Sequence, residues 1–128
     1  MHSKYPIFYF ISLKQTLERL QKFKDKKIKP ILYIRYNLIS GFGDNWLLEL
    51  INLINQKFTS KDFKILIDTK KNYGLFFSLI DQKIDFIKVQ GDKKILKKLK
   101  EIALSNKVLI NPNFSILKLS SNKKLYSL

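Results

Sequence analysis

Short apolar runs alternate along the chain with segments in which apolar residues recur at helical spacing. The runs are rich in β-branched and aromatic residues, and several of them (FYFI, ILYI and KILI) are nearly continuous. A continuous apolar run is typical of a strand that is buried on both faces of a parallel sheet. The pattern predicts strands at residues 5–11, 31–36, 63–68, 85–89 and 108–110.

Helices are predicted between these strands, at residues 12–24, 45–58, 72–80 and 93–105. Ser12 and Gln15 have the spacing of a capping box at the start of the first helix. Asp44 and Asp92 precede the second and fourth helices, where aspartate is a favoured N-cap. Residues 40–43 (SGFG) are predicted to be a loop. A dinucleotide fingerprint would need a third glycine where Trp46 stands.

The alternation of strands and helices predicts an α/β fold with a five-stranded, mostly parallel sheet. We expect helices on both faces of this sheet, and hence a single three-layer α/β/α domain over residues 1–128. Residues 114–119 and 125–128 are predicted to form a C-terminal hairpin or a frayed extension. Residues 1–4 and 120–128 are expected to fray, as chain termini commonly do.

Positive charge is in excess: 25 Lys+Arg residues stand against 10 Asp+Glu residues, which gives a formal net charge of +15. An AT-rich genome would inflate lysine, but it would not deplete glutamate, and the chain has only Glu18, Glu49 and Glu101. Codon usage therefore accounts for part of the excess. The remainder indicates a polyanionic partner.

Several classes of chemistry are excluded by composition. The chain has no cysteine, and its one histidine is His2, beside the first methionine. We therefore expect no metal site, no cofactor and no histidine-based catalysis. The lack of cysteine suits a reducing compartment, either the cytoplasm or an organelle matrix. No run approaches the roughly 18 apolar residues of a membrane span.

The helix predicted at residues 93–105 carries the densest positive charge. Lysines fill most positions outside its apolar stripe, and only Glu101 opposes them. Like charges at helical spacing repel by roughly 0.2–0.5 kcal/mol per pair, so this accumulation indicates either an anionic partner or a solvated lysine face in a lysine-rich chain. The predicted nucleic-acid contacts are Lys93, Lys94, Lys97, Lys98 and Lys100, with further clusters at Lys24, Lys26, Lys27, Lys70 and Lys71.

The helix predicted at residues 45–58 has the opposite character. No lysine or arginine occurs in residues 36–56, and apolar residues cover more of the helix than one buried face requires. Either the helix is buried on two sides, or it contacts a protein neighbour or a second copy of the chain. The predicted partner contacts are Trp46, Leu50 and Leu53.

The third predicted strand ends in the best-placed carboxylate of the chain. Ligands of open α/β sheets gather at the carboxyl ends of the strands. Asp68 and Thr69, followed by Lys70 and Lys71, are therefore a candidate ligand site. The simpler interpretation is that Asp68 closes a turn. A receiver-type phosphorylation site is excluded, because Ile11 and Ser12 stand where that family has an acidic pair.

The segments ILID and GLFFSLI, followed by IKVQGD and LKKL, resemble the small STAS-like regulatory domains that bind anti-sigma kinases and occur in sulfate transporters. The resemblance covers about half of the chain and implies a regulatory or scaffold domain that acts through protein contact. Residues 72–74 (NYG) stand in place of the Asp-Ser-Ser-Gly element on which regulation in that family depends.

Three functional hypotheses follow. The chain is predicted to be a non-catalytic protein that binds RNA or a ribonucleoprotein through lysine-rich helices, with a protein neighbour on the helix at 44–58. The second hypothesis is a STAS-like regulatory or scaffold domain. The third is a ligand-binding or enzyme domain that uses residues 68–71. No acid–base pair in distinct environments can be identified for catalysis.

Overall fold

The computed structural model describes residues 5–112, and the statements below concern that part of the chain. Its strands are β1 Ile7–Tyr9, β2 Ile31–Ile34, β3 Lys64–Asp68, β4 Phe86–Lys88 and β5 Leu109–Ile110. Its helices are α1 Leu13–Asp25, α2 Tyr36–Phe42, α3 Asp44–Asn55, α4 Tyr73–Asp81 and α5 Lys93–Ser105. The predicted C-terminal hairpin and the predicted frayed termini lie outside these residues.

The strands form one parallel sheet in the order β1-β2-β3-β4-β5, so that each strand pairs with its neighbour in the sequence. Ile7 is opposite Ile31 in the first pair of strands, and Leu66 is opposite Phe86 in the third. The predicted α/β class, with five parallel strands alternating with helices, is confirmed.

The two faces of the sheet have different surroundings. Side chains that alternate along the strands point to opposite faces. One face packs with buried residues of α1, α3, α4 and α5 into a single core, to which the strands contribute Phe8, Leu32, Ile34, Ile65, Ile67 and Ile87. The other face forms a second cluster made only of strand residues, namely Ile7, Tyr9, Ile31, Tyr33, Leu66 and Phe86.

The described helices therefore form one layer on one face of the sheet, which we call the helix side. The opposite face, which none of the described helices covers, is called the helix-free side. The predicted three-layer arrangement would have helices on both faces of the sheet. The strand order explains the difference, because right-handed crossovers that always advance in the same direction place every helix on the same face. Alternation of strands and helices does not reveal that order.

Helix α2 replaces the end of the predicted second strand and most of the predicted loop at residues 40–43. It ends at Gly43, whose backbone has φ 99° and ψ 163°. Gly43 is also the N-cap of α3, and no side chain caps that helix. Asp44 is therefore the first residue of α3, not its cap. The other two predicted caps are confirmed: the Ser12 hydroxyl accepts from the amide of Gln15 and the Asp92 carboxylate from that of Ile95.

Three helices end in the same way, with a lysine in the left-handed region. Lys27, Lys83 and Lys107 have φ of 58°, 56° and 62°. The residue after each lysine donates its amide to a carbonyl in the last turn of the helix, at 2.9–3.2 Å. This is the Schellman ending, in which glycine is the usual residue because left-handed backbone costs other residues roughly 1–2 kcal/mol.

Replacing Lys27 with glycine should therefore raise the free energy of unfolding by about 0.5–1 kcal/mol, since part of the relief is offset by the flexibility of glycine in the unfolded chain. Lys26→Gly is the matched control, because Lys26 has φ −90° and should gain nothing. Urea denaturation of the two variants measures the difference. Equal effects at both positions would contradict the assigned role of the left-handed backbone.

Candidate functional site

Aromatic and charged side chains meet where the strands end on the helix-free side. The carboxyl ends of parallel strands share one edge of the sheet, and Tyr9, Tyr33, Asp68 and Lys88 are the last or next-to-last residues of their strands. Asp68 is opposite Lys88, and Tyr9 is opposite Tyr33. With Arg35, which follows β2, these residues form what we call the strand-end cluster.

Each of the two tyrosine rings in the cluster makes a cation–π contact with a positively charged side chain. Their ring centroids are 5.3 Å apart, with a 40° angle between the ring planes. The Arg35 guanidinium carbon lies 4.1 Å from the centroid of the Tyr9 ring, and the Lys88 nitrogen lies 5.5 Å from that of Tyr33. Cation–π contacts of this kind restrain long side chains that would otherwise be free.

Lys88 is also hydrogen-bonded: its ammonium nitrogen donates to the hydroxyl oxygen of Tyr33 at 3.1 Å. This hydrogen bond, with smaller support from the charge of Asp68, raises the pKa of Lys88 although partial burial opposes the shift. Lys88 is therefore a cation at neutral pH and not a nucleophilic amine. Because the pKa of Lys88 is raised, its contribution to the stability of the fold is complete at neutral pH. That contribution is lost only when the pH rises through the raised pKa, in strongly alkaline solution.

The predicted ligand residues 68–71 are divided by the structure. Asp68 is 7% exposed, and its carboxylate accepts the amide of Lys70 at 3.0 Å while facing the Lys70 ammonium at 3.6 Å. Thr69 is fully buried, and its hydroxyl donates to the carbonyl of Lys88 at 2.9 Å. Thr69 therefore joins β3 to β4 and does not face a ligand. Lys71 is exposed, in the turn that follows β3.

The loops that follow β3 and β4 are hydrogen-bonded to each other at the edge of the sheet that holds the cluster. The amide of Gln90 donates to the carbonyl of Lys70 at 2.8 Å, and the Tyr73 hydroxyl donates to the carbonyl of Gln90 at 2.8 Å. A Cβ atom at Gly91 would stand 2.9 Å from the Tyr73 hydroxyl oxygen, so a larger residue there would displace the Tyr73 side chain. Two hydrogen bonds therefore fix the loops at the edge of the sheet that holds the cluster.

A second candidate surface is the α5 lysine face, defined as Lys93, Lys94, Lys97, Lys98 and Lys100. All five side chains are exposed, while Leu99 and Ala103 of the same helix are buried in the core. The ion pairs among the described residues involve Lys24, Lys64 and Lys70, and none involves this face. The five lysines of the predicted surface are thus exposed on α5 and form no ion pair with a described residue, although Asp92 and Glu101 lie near them in the sequence.

The other predicted lysines lie elsewhere. Helix α1 connects β1 to β2 and α5 connects β4 to β5, so these two helices flank α3 and α4 at opposite ends of the helix layer. Lys24 pairs with Asp62 at 3.8 Å, and Lys26 and Lys27 terminate α1. Lys70 and Lys71 stand at the carboxyl edge of the sheet. The structure therefore separates the predicted lysines into three surfaces.

Four carboxylates have structural roles that fix where their negative charge lies. Asp62, Asp68, Asp85 and Asp92 each accept a hydrogen bond from a backbone amide, at 2.8–3.0 Å. A carboxylate that caps a turn or a helix is held in place by that hydrogen bond. Asp62, Asp68 and Asp85 also pair with Lys24, Lys70 and Lys64, so their negative charge lies away from α5.

Helix α3 presents only part of its predicted partner surface. Leu50 is 5% exposed and belongs to the core, which corrects its assignment as a partner contact. Leu53 is 46% exposed. Trp46 is half-buried and contacts the rings of Phe10 and Phe42, at centroid distances of 5.8 and 5.0 Å. Beside it lies an open groove of about 460 Å³, lined by Asn45, Trp46, Leu48, Glu49, Asn52 and Gln82.

Tyr9, Tyr33, Arg35 and Lys88 were not identified from the sequence. Two signals could have found them. Each belongs to a strand end, and three of them interrupt otherwise aliphatic or phenylalanine runs, as in FYF, LYI and IKV. Strand alternation then places the interrupting residues on one face. The strand order, which brings them together, was needed as well.

No protein-family model, curated protein or solved structure matches the chain. Within residues 5–112, no helix has the length and apolar character needed to cross a membrane. In the same residues, histidine, aspartate and glutamate side chains do not gather in groups of three or more that could hold a metal ion. The site must be interpreted from its own geometry.

Proposed function

We propose that the protein is a non-catalytic RNA-binding component that contacts phosphates through the α5 lysine face. The observation that carries this proposal is the group of five exposed lysines on one helix, none of them in an ion pair with a described residue. Keeping these charges together is unfavourable in the free protein. A polyanion would remove the repulsion on binding.

The chemistry of the face favours contact with the backbone of the nucleic acid. Lysine presents a compact charge on a flexible stem and lacks the planar fork with which arginine recognises bases and phosphates. Contacts to phosphate position a protein on nucleic acid without reading sequence. We therefore expect RNA binding with little sequence preference.

The length of the face sets the expected number of contacts. Lys93 and Lys100 are seven residues apart, which is about 10 Å along a helix that rises 1.5 Å per residue. Phosphates along one strand are separated by roughly 3.4 Å of rise in a duplex, so the face reaches about three to five of them. The slope of log K against log salt should then be about −2 to −3.5 for single-stranded RNA.

The test replaces Lys94, Lys97 and Lys98 with glutamate and measures affinity for a single-stranded oligouridylate by fluorescence anisotropy over a range of salt. The side chains are exposed, so the fold should be unaffected. Losing three phosphate contacts should make the salt slope shallower by about 2. Affinity at low salt should fall at least tenfold.

The matched control makes the same charge change elsewhere, with Lys14, Lys57 and Lys61 replaced by glutamate. These residues are exposed and lie off α5. The control should weaken binding only slightly, through net charge. If both triple variants lose the same affinity, or if the unmodified protein does not bind at low salt, the α5 lysine face is not an RNA-binding surface.

A protein neighbour on α3 is the second part of the proposal. Its support is the exposure of Leu53 next to an open groove, in a segment without basic residues. Phe42 is 65% exposed and packs against Trp46, so the end of α2 extends the same apolar surface. This surface and the α5 lysine face lie on different helices, which would allow RNA and a protein to bind together.

A further inference from the structure

We propose that the strand-end cluster binds a small ligand bearing a phosphate monoester, held by the side chains of Arg35, Lys88 and Tyr33. This site is distinct from the α5 lysine face, because it lies on the carboxyl edge of the sheet on the helix-free side. The proposal does not depend on RNA binding. Its ligand class follows from the hydrogen-bond donors and charges of the cluster.

The donors of Arg35 are available to a ligand. The guanidinium lies against the Tyr9 ring at 4.1 Å, and a stacked guanidinium keeps its N–H groups free at the edge of its plane. No described carboxylate pairs with Arg35, and its side chain is exposed. The fork geometry of arginine suits two oxygens of one phosphate.

Lys88 and Tyr33 supply further donors from the same cluster. The Tyr33 hydroxyl oxygen accepts from Lys88 at 3.1 Å, so its own proton remains free to donate. The ammonium has three protons and uses one of them for Tyr33, which leaves two for a ligand. The pair is preorganised, because Tyr33 packs on Tyr9 at 5.3 Å.

The charge of the cluster fits a dianion. Arg35, Lys70 and Lys88 are cationic and Asp68 is anionic, and the Asp68 carboxylate is already paired with Lys70 at 3.6 Å. Two positive charges are left, on Arg35 and Lys88. A phosphate monoester carries about −1.5 to −2 at neutral pH, so it would neutralise the remaining charge.

The position in the fold supports the same conclusion. Ligands of parallel α/β sheets bind outside the carboxyl ends of the strands. The edge here is braced by the bonds from Gln90 to Lys70 and from Tyr73 to Gln90, both at 2.8 Å. A rigid edge lowers the entropy cost of binding. The Asp68 carboxylate is already engaged by the amide and the ammonium of Lys70. No residue of the cluster is assigned a proton-transfer step.

The experiment uses isothermal titration calorimetry to measure the binding of inorganic phosphate and of methyl phosphate to the full chain at low salt. The variants are Arg35→Gln and Lys88→Met, with Lys71→Met as the matched control that removes one positive charge from the turn after β3. Arg35→Gln and Lys88→Met should each weaken both probes about tenfold or more, the equivalent of one ion-paired contact. Lys71→Met should change affinity less than twofold.

Tyr33→Phe keeps the ring and removes only the hydroxyl, so it preserves the packing on Tyr9. It should weaken methyl phosphate several-fold while leaving the circular dichroism spectrum unchanged. The glutamate triple variant of the α5 lysine face should bind phosphate like the unmodified protein. Unchanged phosphate binding by this variant would show that the strand-end cluster and the α5 lysine face are separate sites, so that either proposal can fail without the other.

Three results would overturn the inference. One is the absence of phosphate binding by the folded protein, and another is equal weakening by Lys71→Met and Arg35→Gln. The third is a loss of oligouridylate affinity in Arg35→Gln with no measurable binding of either phosphate probe. That last outcome would assign the cluster to an RNA surface instead.

Discussion

Leu50→Ala should lower the free energy of unfolding by about 2–5 kcal/mol, and Leu53→Ala by less than about 0.5 kcal/mol. The two residues are the same type, on the same helix and three positions apart. Leu50 is 5% exposed and lies in the core, whereas Leu53 is 46% exposed. Removing the buried side chain leaves a cavity, and removing the exposed one does not. Guanidinium denaturation with a shared slope gives both values.

The same pair of variants tests the neighbour proposed for α3. If Leu53 contacts a second copy of the chain, Leu53→Ala should lower the association seen by light scattering while its unfolding midpoint at low concentration is unchanged. Leu50→Ala would weaken association only through its loss of stability. Comparable destabilisation by both variants would show that Leu53 is buried in solution, against the structure.

Gly43→Ala should destabilise the protein by about 1–3 kcal/mol, because its backbone occupies a region that is nearly exclusive to glycine. Gly43 has φ 99° and ψ 163° between α2 and α3. A Cβ atom there would meet nothing within 4 Å, so crowding plays no part and the cost is conformational. Thermal and urea unfolding of the variant measure it.

Gly41→Ala is the matched control, two residues away in α2. Its Cβ atom would also meet nothing within 4 Å, and its φ does not lie in the left-handed region. Alanine is the better helix former by up to about 1 kcal/mol, so this variant should be neutral or more stable. Opposite signs at the two glycines are expected. Destabilisation at Gly41 as well would contradict the helical assignment of α2.

Most of the fold could be predicted from local patterns. The strands were recognisable because each is a short apolar run, and Ser12 and Asp92 gave the helix starts because capping depends on neighbours in the sequence. Helix α2 was missed because its seven residues include Ser40 and Gly41, which resemble a loop. The number of helix layers depends on strand order, and no local pattern encodes that order.

The candidate site was only partly predictable. Asp68 was identified because it ends an apolar run. Tyr9, Tyr33 and Lys88 come from three different strands, and only the register of the sheet brings them together. Leu50 was assigned to a partner because apolar residues surround much of α3, although its helical spacing with Leu47 and Ile54 places it on the inward stripe and leaves Leu53 outside it.

Strand order also has a consequence for how the chain folds. Every strand pairs with the strand next to it in sequence, and the most widely separated pairing joins Ile31 to Lys64. Pairing between sequence neighbours requires shorter loop closures, and hence less entropic cost, than pairing between strands far apart in the chain. The sheet can therefore assemble by stepwise addition, each strand–helix unit docking on the unit before it, as in a repeat protein. By the same logic, lengthening a loop between two units should slow only the docking step that the loop connects.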